Sequence, residues 1–562
     1  MFLGEHKKFL ILFFSVVGIT FILFGPSLGG GFTLDDHSVI EKGLKLNGFI
    51  KNLFEVWVLP WHPGGQWAGN YRPLTSFSFA FNLLFSDNPI GFRIVNLLLY
   101  ALNVVFIFYL VRKISSERVA YLTAATFLFL PIHSEAVMSI VGRVYLLGTL
   151  FSLFSIYYFF EKRYWLSSLN FLLALFSGDA FISLLLILGV FLLIEKRSLA
   201  LAAKKGRIYF VGLPVYFLFR YLALGKYAFG GHGFINPIIG PLAFVLFKER
   251  VFTALSHFYL YLRKTFYPVD LSPDYSFNQI PIVSNIFTSP QSLAGLALLV
   301  FFVYLLFKSK RKDVKFAAVL FLAPYLVVSN LFFITAGTMA ERWWYFPSLG
   351  LVVLIAIGIE NLVSKYANFK KYIYGAGIIV LVWYASIIFQ QNKVWLNDQN
   401  LFASAVEKSP NSVWARTNLA EGYFLSGEVD KAKEEIKAAL KISDEYPLTL
   451  YVSGQIHWKE GRFGEAENAF KRALEFDTRG SNKRSFYRSL ALVNLDTGNN
   501  EQALAYMQEA VKWPPAGDLD NVLKVDKALL KKIEEYSGRD MSSYSQEEIN
   551  ELVLMIKSIR GF

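Results

Sequence analysis

Residues 372–390, YIYGAGIIVLVWYASIIFQ, form the last apolar stretch of the sequence that is long enough to cross a lipid bilayer. Comparable stretches recur along the preceding residues, and the sequence becomes charged afterwards. Hydrophobic residues make up 54% of the 562 residues and aromatic residues 17%, more than a soluble protein of this size carries. The sequence therefore predicts an all-α polytopic membrane domain over 1–390 and a soluble domain over 391–562.

The apolar stretches upstream predict further transmembrane helices, for a total of about eleven. One apolar segment, 235–268, contains Lys248, Glu249 and Arg250, so an amphipathic or re-entrant segment is predicted there, and whether it crosses the bilayer is left open. The eleven predicted spans are 9–24, 91–111, 118–131, 136–160, 164–177, 180–194, 208–224, 292–307, 315–333, 345–363 and 372–390.

Basic clusters between the spans predict the orientation of the chain, because cytoplasmic loops are enriched in Lys and Arg. They lie at Lys7-Lys8, Arg112-Lys113, Lys162-Arg163, 196–207, 308–315 and 365–371. With a cytoplasmic N-terminus, an odd number of spans places residues after 391 on the outer, extracytoplasmic face, together with the first loop, 27–89. These clusters account for much of the excess of 56 Lys and Arg over 43 Asp and Glu, so no nucleic-acid partner is predicted.

Beyond residue 391 the sequence repeats with a period typical of tetratricopeptide repeats. Such repeats form an α-solenoid, whose concave groove can bind an extended polypeptide. A generic partner-binding or dimerising module is the alternative function, and an unrelated helical bundle is the alternative fold. Gly427, Ala432 and Ala439 recur as Gly461, Ala466 and Ala473 and again as Gly498, Ala503 and Ala510, which predicts repeats over about 411–446, 447–480 and 482–516.

Two adjacent acids, Asp35 and Asp36, follow the first apolar stretch. A carboxylate there can act as a general base towards a hydroxyl group, or it can hold a divalent cation such as Mg or Mn beside a phosphate. A helix N-cap in a solvated loop is the alternative interpretation. The pair is thus a candidate catalytic site, or a candidate metal site with a small ligand set.

Three arginines are candidates for binding a phosphate group: Arg72, Arg143 and Arg342. An arginine at the membrane interface can also simply extend its side chain towards the lipid headgroups, which is the alternative for Arg72. Arg143 lies inside a predicted span, where an unpaired cation is costly. A structural ion pair with Glu135 or Asp179 is therefore the alternative for Arg143.

The sequence contains no other known catalytic pattern. A Walker loop, a Rossmann glycine fingerprint and an HExxH motif are all absent, and there is no Cys, which excludes disulfides and thiolate metal sites. His133 and His257 are isolated, and a lone His is more often a structural hydrogen-bonding residue than a ligand. The chemistry therefore depends on the carboxylates and arginines.

Taken in order, these motifs resemble the transmembrane and tetratricopeptide repeat-containing protein O-mannosyltransferases. The similarity covers nearly the whole chain and includes the repeats. The motifs are Asp35-Asp36, Tyr71-Arg72-Pro73-Leu74, the run from Phe92 to Leu98, His133-Ser134-Glu135-Ala136-Val137 with Gly142-Arg143, the run from Tyr267 to Ser276, Ser329-Asn330-Leu331-Phe332, and the run from Ala340 to Gly350.

The resemblance implies a GT-C glycosyltransferase that uses a polyprenyl-phosphate sugar, most simply mannose. The acceptor is then a Ser or Thr hydroxyl on a translocated polypeptide. By the same resemblance the acidic pair carries the catalytic base, for which we prefer Asp36, in a single inverting displacement. From the residues themselves we predict that the donor phosphate is bound by Arg72, Arg143 and Arg342, and that the positioning residues are His133, Glu135, Glu341 and Asp179.

This chain departs from the family at the end of the fifth span, where Ser177-Gly178-Asp179 replaces a usual Ser-Lys-Glu. The missing Lys leaves the donor contacts, and hence the sugar, open. The absence of Cys and of Asn-x-Ser/Thr sequons agrees with a prokaryotic inner membrane.

Two other functions are compatible with the sequence: transfer to a lipid-linked or cell-envelope glycan, and a non-catalytic membrane scaffold that recruits partners through the repeats. A transporter is disfavoured, because no pair of broken spans occupies matched positions in two halves.

Overall fold

A computed structural model describes residues 2–44, 49–62, 69–196, 198–229, 237–238, 240–335, 337–477, 480 and 482–513. Within these ranges the regular secondary structure is helical. The chain divides into two compact units, Met1–Ser409 and Pro410–Phe562, so the division falls beyond the predicted boundary at residue 390. The first unit keeps the last apolar helix and the short helix that follows it.

The described part of the first unit contains seventeen α-helices, several of them joined by short 3-10 turns. They are α1 (Phe2–Phe24), α2 (Phe49–Glu55), α3 (Pro73–Asn82), α4 (Pro89–Ile114), α5 (Glu117–Leu128), α6 (Ser134–Met138), α7 (Arg143–Phe160), α8 (Tyr164–Ser177), α9 (Ser183–Lys196), α10 (Leu199–Gly206), α11 (Leu213–Leu224), α12 (Phe247–Phe266), α13 (Pro290–Lys308), α14 (Lys312–Val328), α15 (Tyr345–Lys365), α16 (Lys370–Val394) and α17 (Asp398–Lys408).

Seven helical segments of the described chain are long and apolar enough to cross a membrane, which is compatible with a multi-pass membrane protein. They cover seven of the eleven predicted spans. The other four predicted spans correspond to α5, α8, α9 and α14, which have 12, 14, 14 and 17 residues. At about 1.5 Å per residue these helices are shorter than a hydrocarbon core of about 30 Å. The seven segments are Lys8–Gly29, Pro89–Ile114, Ile140–Phe160, Ala200–Tyr227, Pro290–Lys308, Glu341–Lys365 and Ala367–Val394.

The segment for which an amphipathic or re-entrant structure is predicted, 235–268, contains α12. This helix carries polar and apolar residues together and is not one of the seven candidate spans. It packs against α13 and buries Ser256, His257 and Lys264, which is an unusual set for a helix in contact with lipid. Residues 235, 236 and 239 of this prediction lie outside the described part.

The helix α4 is the central element of the first unit and packs against α1, α5 and α7. Its buried polar residue Asn103 connects it to two other helices. Asn103 donates hydrogen bonds to the carbonyl oxygen of Leu146 and to the Tyr345 hydroxyl, both at 3.0 Å. These bonds constrain the rotation of α4 against α7 and α15, because the buried Nδ2 group of Asn103 is paired only in this orientation. Oδ1 of Asn103 has no hydrogen-bond partner among the described residues.

The C-terminal ends of α1 and α16 lie side by side. The Ser27 amide donates to Oδ1 of Asn392 at 3.0 Å, and the Gly31 amide donates to the carbonyl oxygen of Leu396 at 2.8 Å. Gly30 is required by this contact, since a Cβ built there lies 2.9 Å from backbone atoms of Trp395 and Leu396. The loop after α1 and the segment after α16 therefore lie on the same side of the membrane, whatever the number of spans.

The described part of the second unit consists of three helix pairs. Gly427, Gly461 and Gly498, the repeated glycines, lie between the paired helices with φ of +86°, +74° and +78°. The repeated alanines are buried. The pairs are α18 (Val413–Leu425) with α19 (Val429–Ile442), α20 (Pro447–Lys459) with α21 (Phe463–Phe476), and α22 (Lys483–Asp496) with α23 (Asn500–Val511).

The close approach at Gly30 gives a direct test of the packing between the ends of α1 and α16. We expect Gly30→Ala to destabilise the protein by about 1–3 kcal/mol, because backbone atoms cannot move aside as a side chain can. The neighbouring Gly29 has no atom within 4 Å of a built Cβ, so Gly29→Ala is the matched control. Thermal unfolding of both variants in detergent measures the difference, and equal melting temperatures contradict this packing.

Candidate functional site

The acidic pair lies in a tight turn between the 3-10 segment that follows α1, Gly25–Gly29, and a π-helix, His37–Leu44. The Asp36 amide donates to the carbonyl oxygen of Thr33 at 3.0 Å, and the His37 amide donates to that of Leu34 at 3.2 Å. Leu34 has a φ of +52°, in the left-handed region that a branched side chain rarely adopts. Such backbone strain is maintained only where surrounding contacts impose it.

Asp36 is fully buried, and its carboxylate holds the turn together. It accepts hydrogen bonds from the backbone amide of Thr33 at 3.1 Å and from that of Val141 at 2.9 Å. Burial raises the pKa of Asp36 to about 6, while these two hydrogen bonds and the nearby charge of Arg93 lower it. Asp36 thus joins the turn to the residues that precede α7, and it does not present its carboxylate to a solvent-accessible space.

Asp35, by contrast, is exposed. Its carboxylate interacts electrostatically with the imidazole of His62 and with the guanidinium group of Arg342. Nδ1 of His62 is also 3.2 Å from the hydroxyl oxygen of Ser38, on the same turn as Asp35. Of the two acids, Asp35 is the one that a substrate can reach.

The turn is attached to the start of α17 through Asp398. One carboxylate oxygen of Asp398 accepts a hydrogen bond from the Leu34 amide at 2.9 Å, and the other lies 3.0 Å from Nε2 of His37. Glu41 is 2.5 Å from the other ring nitrogen of His37. The hydrogen bond with Asp398 is the largest of the effects that raise the pKa of His37 to about 9, with a smaller contribution from Glu41. We call Asp398, His37 and the Leu34 amide the latch.

Arg342 forms the cationic side of the site. Its guanidinium group forms a salt bridge with Glu135, and its backbone amide donates to the same carboxylate at 2.8 Å. The Glu135 side chain is 2% exposed whereas that of Arg342 is 31% exposed, so the arginine is anchored at one edge and open at the other. Tyr145 and Asp35 also interact electrostatically with it. This geometry suits an arginine that binds an anion.

Arg72 lies at the edge of the same region. Its guanidinium carbon stands 4.9 Å from the centre of the Trp61 ring, a cation–π contact, and its charge acts on His62. Arg72 is half-buried, and it immediately precedes α3. The structure therefore brings three sequence-predicted residues together, Asp35, Arg72 and Arg342, and adds His62, which the sequence analysis did not single out.

Arg143 does not belong to this group. It is fully buried and donates hydrogen bonds to Oδ1 of Asn96 at 2.8 Å, to Oδ1 of Asn82 at 3.0 Å and to the carbonyl oxygen of Phe92 at 2.8 Å. The ion pair with Glu135 or Asp179 that the sequence suggested is not formed either, since Glu135 binds Arg342 and Asp179 binds Arg220. Amide and carbonyl oxygens satisfy the charge instead.

Two further candidates, His133 and Glu341, form hydrogen bonds with other parts of the first unit. His133 is fully buried, with Nε2 2.9 Å from the Ser348 hydroxyl and Nδ1 3.3 Å from the Tyr100 hydroxyl, as expected of a structural histidine. Glu341 is also buried and accepts hydrogen bonds from the Ser272 amide at 2.8 Å and from the Tyr275 hydroxyl. Glu341 thus orders the loop after α12, which carries one of the resemblance motifs.

Asp179, at the departure from the family pattern, forms a separate cluster. Its carboxylate accepts hydrogen bonds from the Tyr216 hydroxyl at 2.5 Å and from Arg220 at 2.8 Å. Arg220 also donates to the carbonyl oxygen of Gly69 at 2.8 Å. A cation is therefore present near the position where the family has a Lys, but it comes from α11 and binds the segment that leads to Arg72.

Among the described residues, no group of three or more acidic or histidine side chains is arranged to hold a metal ion. Asp36 is occupied with backbone amides, which leaves Asp35 as a single available carboxylate in the turn. A requirement for Mg or Mn therefore stays a prediction.

Comparison with known proteins identifies a repeat family and several relatives that match most of the chain. Residues 451–518 match the family model described as tetratricopeptide repeat. A protein O-mannosyl-transferase of Caenorhabditis elegans is 22% identical over 447 residues, which is 77% of this chain and 62% of that protein. The human protein O-mannosyl-transferases TMTC3 and TMTC1 are each 25% identical, over 74% and 77% of this chain and 49% and 55% of their own lengths.

This chain thus spans about half to three fifths of the length of the relatives named here. All three are animal proteins, so the prokaryotic origin suggested by the sequence stays a prediction. Each of these matches covers about three quarters of this chain, so it includes most of the first unit. The chain is a homologue of the transmembrane and tetratricopeptide repeat-containing protein O-mannosyltransferases.

Proposed function

We propose that this protein transfers a hexose, most simply mannose, from a polyprenyl-phosphate donor to Ser or Thr hydroxyls of a polypeptide. The observation that carries this proposal is the electrostatic interaction between an exposed carboxylate, Asp35, and the partly exposed guanidinium group of Arg342, which directly precedes a membrane helix. The relatives are named protein O-mannosyl-transferases, which supports a sugar donor and a protein acceptor. The proposal assigns the reaction to the face of the membrane at which α1 ends.

In this mechanism Asp35 is the general base. Its carboxylate takes the proton of the acceptor hydroxyl as the oxygen attacks the anomeric carbon of the sugar. The bond between that carbon and the donor phosphate oxygen breaks, and the polyprenyl phosphate leaves with the bonding electron pair. A single displacement of this kind inverts the configuration at the anomeric carbon.

Arg342 and Arg72 stabilise the negative charge of the leaving phosphate. Glu135 is a positioning residue, because it fixes one edge of the Arg342 fork while leaving the other edge free. His62 interacts electrostatically with both Asp35 and Arg72. Asp36 shapes the turn that carries Asp35, so the sequence-based preference for Asp36 as the base passes to its exposed neighbour.

The orientation is part of the proposal. The N-terminus is cytoplasmic, and the acidic turn lies on the outer face, where a translocated polypeptide is available. The adjacent ends of α1 and α16 support one element of this topology, namely that the turn and the start of α17 share a face. The latch supports it independently, since Asp398 binds the turn directly.

The two acids are expected to differ when each is replaced by alanine. Asp35→Ala should reduce transfer by about 100-fold or more with an unchanged melting temperature, because an exposed base is lost. Asp36→Ala should lower the melting temperature, because the buried amides of Thr33 and Val141 lose their acceptor at about 1–3 kcal/mol each. The measurements are transfer from polyprenyl-phosphate mannose to a Ser/Thr peptide and thermal unfolding in detergent. Full activity of Asp35→Ala would falsify its role as base.

Two conservative substitutions separate a phosphate-binding arginine from a structural one. Arg342→Lys keeps the charge beside Glu135 but loses the planar fork, so KM for the donor should rise by about tenfold with little change in melting temperature. Arg143→Lys loses several fixed hydrogen bonds, so its melting temperature should fall while KM stays unchanged. Donor titrations with both variants test this, and a KM effect confined to Arg143→Lys reverses the assignment.

The latch predicts a pH dependence of stability. The pKa of His37 is raised from 6.5 to about 9, so its contribution is fully present below pH 6.5 and is lost as the pH rises through about 9. Asp398→Asn removes the main cause of this shift. The difference in melting temperature between wild type and Asp398→Asn should therefore shrink from below pH 6.5 to above pH 9. A difference that is constant across this range contradicts a charged latch.

A further inference from the structure

The repeat unit contains a groove that the reaction does not use. Its lining comes from three consecutive helices, α19, α20 and α21. Of these, α19 and α21 are the second helices of two successive repeats. Two adjoining cavities of about 460 and 430 Å³ form it, and they share Leu440, Ser453 and His457 as lining residues. Each volume lies in the range of about 300–1,000 Å³ that is typical of ligand-binding pockets.

The first cavity is basic at its rim and apolar inside. Four of its lining residues are Lys or Arg, and its lining includes no acidic residue. Ile436, Leu440 and Ile456 supply the apolar surface. The cations are Lys433, Lys437, Lys441 and Arg462, and the first three follow one another at intervals of four residues on α19, which places them along one side of the helix.

Only part of this positive charge is balanced within the repeats. Lys433 and Arg462 both form salt bridges with Glu460. Lys437 and Lys441 form no salt bridge within the described part of the chain, and both are exposed. Two cations beside an apolar floor therefore remain available to a ligand.

The floor also offers an unused polar atom. Nδ1 of His457 is buried without a hydrogen-bond partner among the described residues. Burial lowers the pKa of His457, so its imidazole is neutral at pH 7 and can exchange a hydrogen bond with a backbone amide or carbonyl. A polypeptide supplies such groups at every residue, whereas a lipid headgroup or a simple anion does not.

We propose that this groove, lined by Lys437, Lys441, His457 and the apolar residues of α19 and α20, binds an extended polypeptide segment carrying acidic and apolar side chains. The acidic side chains pair with Lys437 and Lys441, and the apolar ones cover Ile436, Leu440 and Ile456. Charge complementarity selects this occupant over a basic or neutral segment. The proposed transfer reaction gives the binding a purpose, the recruitment of acceptors, but binding itself does not depend on transfer.

Binding is measured with the full-length protein in detergent and a fluorescein-labelled synthetic peptide whose extended, Pro-containing sequence carries Glu and Leu side chains. Matched peptides replace every Glu by Gln or every Leu by Ser. We expect the acidic peptide to bind, each matched peptide to bind more weakly, and added salt to weaken the binding, because screening acts on exposed charge pairs. Equal affinity for the Glu and Gln peptides overturns the proposal.

The matched protein variants are two double charge reversals. K437E/K441E should weaken the acidic peptide by about tenfold or more and should improve binding of a Lys-for-Glu peptide. K459E/K471E changes the net charge of the repeats equally but lies outside the lining, so it should leave the affinity unchanged. Equal losses in the two variants indicate non-specific attraction and also overturn the proposal.

Two further arms separate this inference from its rivals. Vesicles of anionic phospholipid that displace the peptide as effectively as unlabelled peptide does would assign the groove to lipid and overturn a polypeptide occupant. Repeating the binding measurement with Asp35→Asn distinguishes the two proposals, since binding should persist without transfer. If wild type binds the peptide but transfers no sugar from any polyprenyl-phosphate donor, the proposed function fails while the groove stands.

Discussion

The membrane unit depends on one buried cation, Arg93. Its guanidinium group donates hydrogen bonds to the carbonyl oxygens of Gly30, of Gly31 at 2.6 Å, of Met138 at 3.2 Å and of Trp395 at 3.3 Å. These carbonyls belong to three separate parts of the chain: the loop after α1, the end of α6 and the end of α16. A fully buried arginine is tolerated because every direction of its planar group meets an acceptor, and the nearby Asp36 carboxylate offsets its charge.

Repeats and membrane helices can be predicted from the sequence, because a period or the length of an apolar stretch identifies them. The interval between Gly427 and Gly461 identifies the repeats, and apolar stretches locate the membrane helices. It was less informative at interruptions such as Pro131–His133 and Gly178, where helices stop after 12 and 14 residues although the apolar composition continues. An apolar composition does not fix the length of a helix, because the helix ends where its backbone hydrogen bonds end.

The candidate site could be predicted in its residue types but not in their roles. Asp35 and Asp36 are indistinguishable by sequence, yet opposite orientations in one turn make one a buried acceptor of amide hydrogen bonds and the other an exposed acid. Arg143 and Arg342 also differ in role, one being buried and the other partly exposed. The partner of each is remote from it in sequence: Asn96 binds Arg143, and Glu135 binds Arg342. Neither His62 nor Asp398 belongs to a motif, so the sequence alone does not mark them as part of the site.

The latch has a consequence for how this chain can be cut and recombined. Asp398 opens the helix that leads to the repeats, yet its carboxylate completes the strained turn that carries Asp35. Ser409, at the far end of that helix, donates a hydrogen bond to the Ser272 hydroxyl at 2.9 Å. A chimera joined at residue 391, the boundary suggested by hydropathy, takes this helix away from the membrane unit, whereas a junction after Ser409 keeps it. The modular unit is therefore the membrane region together with its first soluble helix.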